Sequence, residues 1–519
     1  MTEINGSASG AELYDEEVDV IVVGYGYAGA ISALEAARAG ARVLVLEKAA
    51  VPGGISICSY GSVRSARDAG DALSYLSATN AGRSRDDLLQ ALASGMTEME
   101  DYVRELAAET GSEIATTKND PKAGANYPLP GYTTFYHTTI ASIPDFAPRE
   151  VYPAANGAEG GVKLFRVLEG AIAPFVPDQI EIRFGASARR LITEDAGVTG
   201  LVADFADGPR HIRARRGVVL ACGGFEGNHQ MQDHFWEPTP VLPAAARNNT
   251  GDGIVMAQDL GAAIWHMWHF HGVYGFRHTD PDYPYGIRVK RLPDWMPGKA
   301  DRANVSMAWI LLDRQGRRFM NEYQPYLQDT SHRSLHLFDP HTQDFARIPS
   351  FLIFDENGRK LYPMGKPTSN DPDVFYDWSE DNMAEVENGI LSCADTLAEL
   401  ASKIGVDAGA VEASVTRWNA LCASGGDDDF GRPAGTMVPI AEPPFYGAAV
   451  WPVLSNTQGG PIRDAEGHVL DVYGDPIRNL YTAGELGSAF GHLYMSGGNI
   501  AECFISGRIA GRNAARGSN

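Results

Sequence analysis

Gly24, Gly26 and Gly29 stand in the spacing Gly-x-Gly-x-x-Gly, and Glu47 follows 18 positions after the last of them. This set suits dinucleotide binding. The first glycine permits a tight turn, the second lets the backbone approach a pyrophosphate, and the third lets a helix lie close on a strand. Unpaired N–H groups at the helix start then face the phosphates. An acid in the Glu47 position accepts hydrogen bonds from an adenosine ribose and disfavours a 2′-phosphate. The pattern by itself does not separate FAD from NAD. A second candidate is the run WHMWHFH, with His266, His269 and His271. No carboxylate or cysteine accompanies these histidines at ligand spacing and aromatics alternate with them, so the run reads as an aromatic border segment and not a metal site.

The glycines require particular elements around them. Residues 19–23 form a short apolar strand, 31–39 an Ala-rich helix stopped by Gly40, and 41–46 a second strand ending in Glu47. A small-residue loop follows, with Gly53, Gly54, Ser56, Ser59 and Gly61, whose amides and hydroxyls can approach phosphate or flavin. Residues 86–111 read as an amphipathic helix, with Leu88, Leu89, Leu92, Met96 and Met99 at helical spacing. Strands around 179–191 and 198–204 lead to a buried strand, 218–221, that ends at Gly223 and Gly224 and returns the sheet to the cofactor. Asn249, Thr250, Gly251, Asp252 and Gly253 lie at the mouth of another helix. Near the end, strand 480–483 stops at Gly484 and Glu485, and residues 497–499 open a final helix of small residues.

Residues 273–440 differ in character, with many prolines, charged loops and the helix pair 394–404 and 408–423. They read as an inserted cap. Residues 1–16 read as a disordered tail. The expected architecture is α/β: a Rossmann-like, glutathione-reductase-type nucleotide-binding domain, discontinuous over 17–272 and 441–519, with an α+β substrate-capping domain inserted at 273–440.

Composition supports this and excludes other classes. A chain of 519 residues exceeds what one core usually supports. The formal charge of −23, from 43 basic and 66 acidic residues, argues against nucleic acid or an anionic membrane as partner. Five scattered cysteines with no C-x-x-C disfavour a disulfide scaffold, a zinc ribbon and a haem arm. The start of the chain is acidic and polar, and no apolar stretch approaches the roughly 20 residues that span a bilayer. The expectation is a cytoplasmic protein.

The nucleotide unit, the GRRFMNE of residues 316–322 and the terminal YTAGE…SGGNIAECFISGRIAG together resemble the fumarate reductase and 3-ketosteroid dehydrogenase superfamily of flavoproteins. The resemblance implies FAD as cofactor, bound by a domain that the C-terminal segment closes and the cap covers. It carries a set of FAD contacts onto Gly24, Gly26, Ala28, Gly29, Glu47, Lys48, Gly53, Gly54, Ser56, Ser59, Gly61, Ala188, Ala221, Gly223, Asn249, Asp252, Gly484, Glu485, Gly498, Asn499 and Ile500. Gly498 and Asn499, at the last helix's N-terminus, would face the pyrimidine end of the flavin, where the helix dipole stabilises the reduced anion.

Two positions decide the branch. Where the fumarate reductase type has a proton-donating arginine, this chain has Tyr326 after Pro325, and before the final double glycine it has Met495 and no arginine. Pro325-Tyr326 and the Gly-His-x-Tyr of residues 491–494 resemble the ketone-oxidising branch. The resemblance therefore implies desaturation α,β to the ketone of a cyclic or steroid-like substrate, the alternative being an ene-reductase acting on an unsaturated acid or enone. In that chemistry Tyr326 takes the α proton, and the Tyr494 hydroxyl with the Gly498 N–H polarises the carbonyl. A free tyrosine titrates near ~10, so Tyr326 needs a depressed pKa or a relay, for which Tyr132 or Tyr136 stands in the aromatic loop. His492 is either a further proton donor or an orienting group. Arg317, Arg318 and Arg333 leave room for a substrate carboxylate. The expected partners are a small-molecule ketone and an unidentified electron acceptor.

Overall fold

A computed structural model describes residues 14–119, 127–195, 197–292, 304–323, 331–493 and 495–517. Two eight-stranded sheets organise them. In the first, Glu16–Val23 pairs in parallel with Val43–Glu47 on one side and Gly208–Leu220 on the other; Ile180–Phe184 and Pro476–Thr482 extend the parallel run outward. The last pairing, Val218 to Leu480 and Leu220 to Thr482, brings the C-terminal segment into the sheet begun by the N-terminal one. The fold is thus the expected Rossmann-like, discontinuous type.

The sequence of these strands is nearly continuous in apolar residues because both faces are covered. Val20, Val22, Val43 and Val45 point into one core, and Ile21, Val23, Leu44 and Leu46 into the other, as strand alternation requires. On the first face the helices Tyr27–Arg38 and Gly498–Arg516 lie against each other. The small residues of the last helix permit this approach: a Cβ on Gly511 would stand 2.3 Å from the Ser32 carbonyl oxygen. Helix Asp86–Glu109 packs on the same face through the predicted Leu88, Leu89, Leu92, Met96 and Met99.

The second sheet is centred on the long strand Phe445–Thr457, which pairs antiparallel with Phe270–Arg277 and Ser350–Asp355. Gly286–Val289 pairs with Phe270–Arg277 and Gly365–Lys366 with Gly286–Val289. Helices Leu397–Ile404 and Ala408–Ser424 cover one face through Leu400, Val411, Val415 and Trp418. The first of this pair begins three residues later than its composition suggests. Thr396 caps it by accepting from Glu399 N–H at 3.2 Å, and Ser392–Ala394 joins the sheet as a short strand.

Residues 14–16 also correct the sequence expectation of a tail. The Tyr14 hydroxyl bonds Thr199 Oγ1 at 2.7 Å, Asp15 N–H donates to His211 O at 2.8 Å, and Glu16 starts the first strand with its carboxylate on Arg183 at 2.6 Å. These partners lie 167 or more residues away in sequence, beyond the reach of a local reading. Residues 1–13 lie outside the described residues. Among the described residues, no helix is long and apolar enough to cross a membrane.

Candidate active site

At the carboxyl ends of the parallel strands, where open α/β sheets bind ligands, two cavities adjoin. The first has about 960 Å³ of empty space and the second about 930 Å³, open solvent included. Tyr27, Ile55, Ser56, Glu485 and Cys503 line both, so they form one trough running from Glu47 to Asn499.

The first cavity gathers residues picked from distant motifs. Gly24, Gly26, Ala28, Glu47, Lys48, Gly54, Ser56, Ala188, Ala221, Gly223, Asn249, Asp252 and Glu485 all line it. Glu47, at the end of its strand, accepts from the N–H of Tyr25 and of Ala49, both at 2.8 Å, which aims its carboxylate across the glycine turn. Burial holds its carboxyl above the usual range. Lys48 turns to Asp252 at 2.7 Å and Thr250 at 2.6 Å, fastening the loop before helix Asp252–Asp259 to the end of the second strand. Gly29 does not reach the cavity. It lies under the turn, where a Cβ would stand 1.9 Å from the Gly24 carbonyl oxygen, so its role is close packing. Gly53, Gly61 and Gly484 likewise stand behind the lining.

Ser59, Asn499 and Ile500 line the second cavity. Helix Gly498–Arg516 opens there, capped by Gly497. Its first intrahelical bond is Ala501 N–H to Gly497 O at 3.1 Å, and the N–H groups of Asn499 and Ile500 precede it as the unpaired donors of a helix start. Gly498 is different: its N–H donates to Met495 O at 2.7 Å. The donor expected for a substrate carbonyl is therefore spent on closing the turn, while Asn499 and Ile500 line the cavity.

Glu485 sits where the cavities meet. Thr457 donates to its Oε1 from N–H at 2.8 Å and from Oγ1 at 3.1 Å, and the same N–H reaches Glu226 Oε1 at 3.2 Å. Burial, then the charge of Glu226 beside it, pushes the Glu485 carboxyl well above its ordinary value. Glu485 and Glu226 are thus two buried carboxyls that share the Thr457 N–H as donor.

The residues present fit FAD. Asn249 Nδ2 and Asn499 Oδ1, one in each cavity, are buried without a hydrogen-bond partner, a state that native interiors avoid unless a ligand completes it. The trough supplies an acid at one end and helix-start donors at the other.

The catalytic candidates divide. Tyr326 and Tyr494 lie outside the described residues. The segments beside them meet, because Arg333 Nη2 donates to His492 O at 2.6 Å and to His269 Nδ1 at 2.9 Å. Tyr136 is not at the site. On strand Phe135–Ser142 it faces opposite to His137, whose ring approaches Ser496 O at 3.3 Å, and its hydroxyl donates to Glu100 Oε2 at 2.8 Å on another helix. Burial and then Glu100 push its phenol up, the wrong direction for a base. Tyr132 is 42% exposed on a short helical turn. The His492 ring is exposed against Trp268, with centroids 5.9 Å apart, and its main-chain oxygen is the atom that accepts from Arg333.

Arg317 and Arg318 leave the list of carboxylate binders. Arg317 reaches Asp313, and Arg318 is buried between Glu322 at 2.7 Å and Asp427 at 2.8 Å. The Arg-x-x-x-Glu of that motif is a structural ion pair of the cap. The histidines of WHMWHFH are taken up by hydrogen bonds: His266 with Ser488 O at 3.0 Å, His269 with Arg333, and His271 with Gln458 Nε2 at 3.0 Å.

Residues missed from the sequence include Tyr25, Arg247, Asn248 and Asn370 in the first cavity and Arg288, Thr368 and Asn456 in the second. Arg247 and Asn248 immediately precede the loop of residues 249–253, a signal within reach. Arg288 comes from a strand of the second sheet, Thr368 from the loop after Gly365–Lys366, and Asn370 from the short strand Ser369–Asn370 that pairs with Ala155–Asn156; none carries a motif.

The chain belongs to the FAD binding domain family, whose model matches residues 19–500. It is an FAD-dependent oxidoreductase. Among proteins of known activity it is 29% identical to the 3-oxosteroid 1-dehydrogenase of Mycobacterium tuberculosis, over 96% of this chain and 98% of that protein. It is 30% identical to the 4-oxocyclohexanecarboxylate 2-dehydrogenase of Sinomonas cyclohexanicum, over 96% and 92%. The crystal structure of 3-ketosteroid delta1-dehydrogenase from Sterolibacterium denitrificans, in complex with 1,4-androstadiene-3,17-dione, superposes with a TM-score of 0.79 at 25% identity, covering 96% of this chain and 99% of that one.

Proposed function

We propose that this enzyme introduces a carbon–carbon double bond α,β to the ketone of a cyclic or steroid-like substrate. Bound FAD supplies the acceptor for the β hydrogen, which leaves as hydride. The chain's own groups handle the α proton. An unactivated α C–H is too weak an acid to lose it, so the ketone oxygen must be polarised, and the Tyr494 hydroxyl does so with a main-chain N–H at the start of the last helix. Tyr326 accepts the proton. Its phenol, near ~10 when free, needs positive charge close by to ionise. Arg333, half-buried and seven positions on, has no carboxylate partner among the described residues and meets that need.

The observation that supports the reading is the hydrogen bond from Arg333 Nη2 to His492 O at 2.6 Å, which joins a residue seven positions after Tyr326 to one two positions before Tyr494. The relatives' activities support it, since two of them act on cyclic ketones by name. In this reading residues 17–272 and 441–519 hold the cofactor and 273–440 cover the substrate. The five free cysteines suit a cytoplasmic setting, with electrons passed to a small acceptor.

Anaerobic addition of a 3-ketosteroid or a cyclohexanone derivative to the yellow holoenzyme tests the reading. The flavin absorbance near its visible maximum should bleach. Bleaching only by an added reductant, with recovery on an unsaturated acid, would reverse the assigned direction.

A further inference from the structure

The second cavity contains a cation that the chemistry above does not use. Arg288, on the strand Gly286–Val289, lines it and donates from Nη2 to Ser455 Oγ at 2.7 Å. Its Nε is buried and has no hydrogen-bond partner. Lys366 pairs with Arg288 across the sheet. Its ammonium donates to the Tyr60 hydroxyl and stands 4.0 Å from the centre of that ring. Among the described residues, neither cation has a carboxylate in ion-pair range; their recorded side-chain partners are hydroxyls.

Carboxylates are plentiful in a chain with 23 more negative than positive charges. Three other arginines with almost wholly buried side chains are neutralised: Arg318 by Glu322 and Asp427, Arg432 by Glu322, and Arg463 by Glu502. A buried cation without a counter-ion is costly, and burial together with the charges of Arg288 and Lys290 pushes the Lys366 ammonium down to about 7. An anion entering the cavity relieves both. The wall of this cavity carries hydroxyls and amides, Ser59, Ser62, Thr368, Asn456 and Ser496 among them, together with the apolar Ile55, Ala245 and Ile500.

We propose that Arg288, backed by Lys366, binds a carboxylate carried by the substrate, which makes the substrate a cyclic keto acid and Arg288 its specificity-determining residue. The inference rests on the desaturase reading and names the substrate class for it. The carboxylate binds away from the reacting carbons, and its charge-assisted, two-point contact with a guanidinium fixes which ring carbons face the flavin.

The test uses the FAD-loaded enzyme as wild type, Arg288→Met and Arg288→Lys, with two readouts. Binding of cyclohexanecarboxylate, which has no ketone to oxidise, is followed by the flavin difference spectrum. Turnover is compared for 4-oxocyclohexanecarboxylate and cyclohexanone. The expected result is binding of the acid that weakens about 10- to 100-fold in Arg288→Met and partly recovers in Arg288→Lys. The preference for keto acid over cyclohexanone should fall by the same factor, through KM. Equal loss toward both ketones, or a wild type without preference for the acid, overturns the proposal. So does loss of FAD from Arg288→Met, which would mean that the cation serves the cofactor. Arg288-dependent binding of the acid with no ketone oxidised would leave the anion site standing and sink the desaturase reading. Ketone oxidation with acid binding indifferent to Arg288 would do the reverse.

Discussion

Arg333 Nη2 donates to the main-chain oxygen of His492 at 2.6 Å across 159 positions of sequence. The same guanidinium reaches His269 Nδ1 at 2.9 Å, so three separate segments are pinned at one point. The contact uses the carbonyl of His492 and leaves its ring outside. Arg333→Met should therefore lower kcat by about 10- to 100-fold, the cost of a small misplacement of reacting groups, with FAD content unchanged. His492→Ala should retain activity. Steady-state kinetics with flavin quantification check both, and a His492→Ala enzyme as damaged as Arg333→Met would return the imidazole to the mechanism.

The phenols themselves are tested by Tyr326→Phe and Tyr494→Phe. Loss of a positioned proton acceptor costs about 10²- to 10⁴-fold, and loss of one carbonyl-polarising donor about 10²- to 10³-fold. Both enzymes should stay yellow, because neither residue belongs to the FAD contact set. Full turnover in either variant removes that residue.

How much of this was legible in the sequence depended on whether a feature is local. The glycine turn, Glu47, the Asn249 loop and the helix start at Asn499 are each set by a few neighbouring residues, and the parallel sheet brings them together as strand patterning implies. Tyr136 failed because one residue of strand register decides its face: His137 looks toward Ser496 while Tyr136 looks toward Glu100. Gly498 failed because a turn bond to Met495 takes its N–H, and no composition rule reports which donor of a helix start is spent. Arg288 was invisible for a third reason. It sits on a strand of the second sheet where any charged residue reads as solvent-facing, and only the packing of that sheet over the first turns it inward.

Stability of the site's floor rests on Arg463 and Glu502, an ion pair with both side chains almost wholly buried. Arg463 also donates to Gly484 O at 3.1 Å, and Glu502 accepts from Ser488 Oγ and Ala489 N–H, each at 2.6 Å. The pair thus bolts the last helix to the loop carrying Glu485. Arg463→Met leaves a buried carboxylate without its cation, and such a break costs about 3–5 kcal/mol. Denaturant unfolding of the holoenzyme should show this loss; a change under about 1 kcal/mol would mean that the backbone and serine donors suffice alone.

Acid sensitivity follows from the buried histidines. Burial, followed by the charge of Arg64, holds His137 down to about 3; burial and then Arg333 hold His336 down to about 4. Burial first, and neighbouring histidines and Arg333 after it, keep His269, His271 and His332 well below the ordinary value. The unfolded chain takes up protons near pH 6.5 while the folded one stays neutral at these positions, so stability falls as pH drops below 6.5. Each such histidine contributes about 1.4 kcal/mol per pH unit until its own folded value is reached. His468 works in the opposite sense: its hydrogen bond with Asp464 raises it, so its contribution is present in acid and lost as pH rises through its folded value. His266, His278 and His492 are held down as well. Eight imidazoles thus stand against His468 and the acids Glu47, Glu169, Glu485 and Glu502, whose raised carboxyls act in the opposite sense, and the melting temperature should fall between pH 6.5 and 5. A melting temperature flat over that interval, dropping only below about pH 4.5 where acids such as Glu and Asp protonate, would show that these imidazoles are not held neutral in the folded protein.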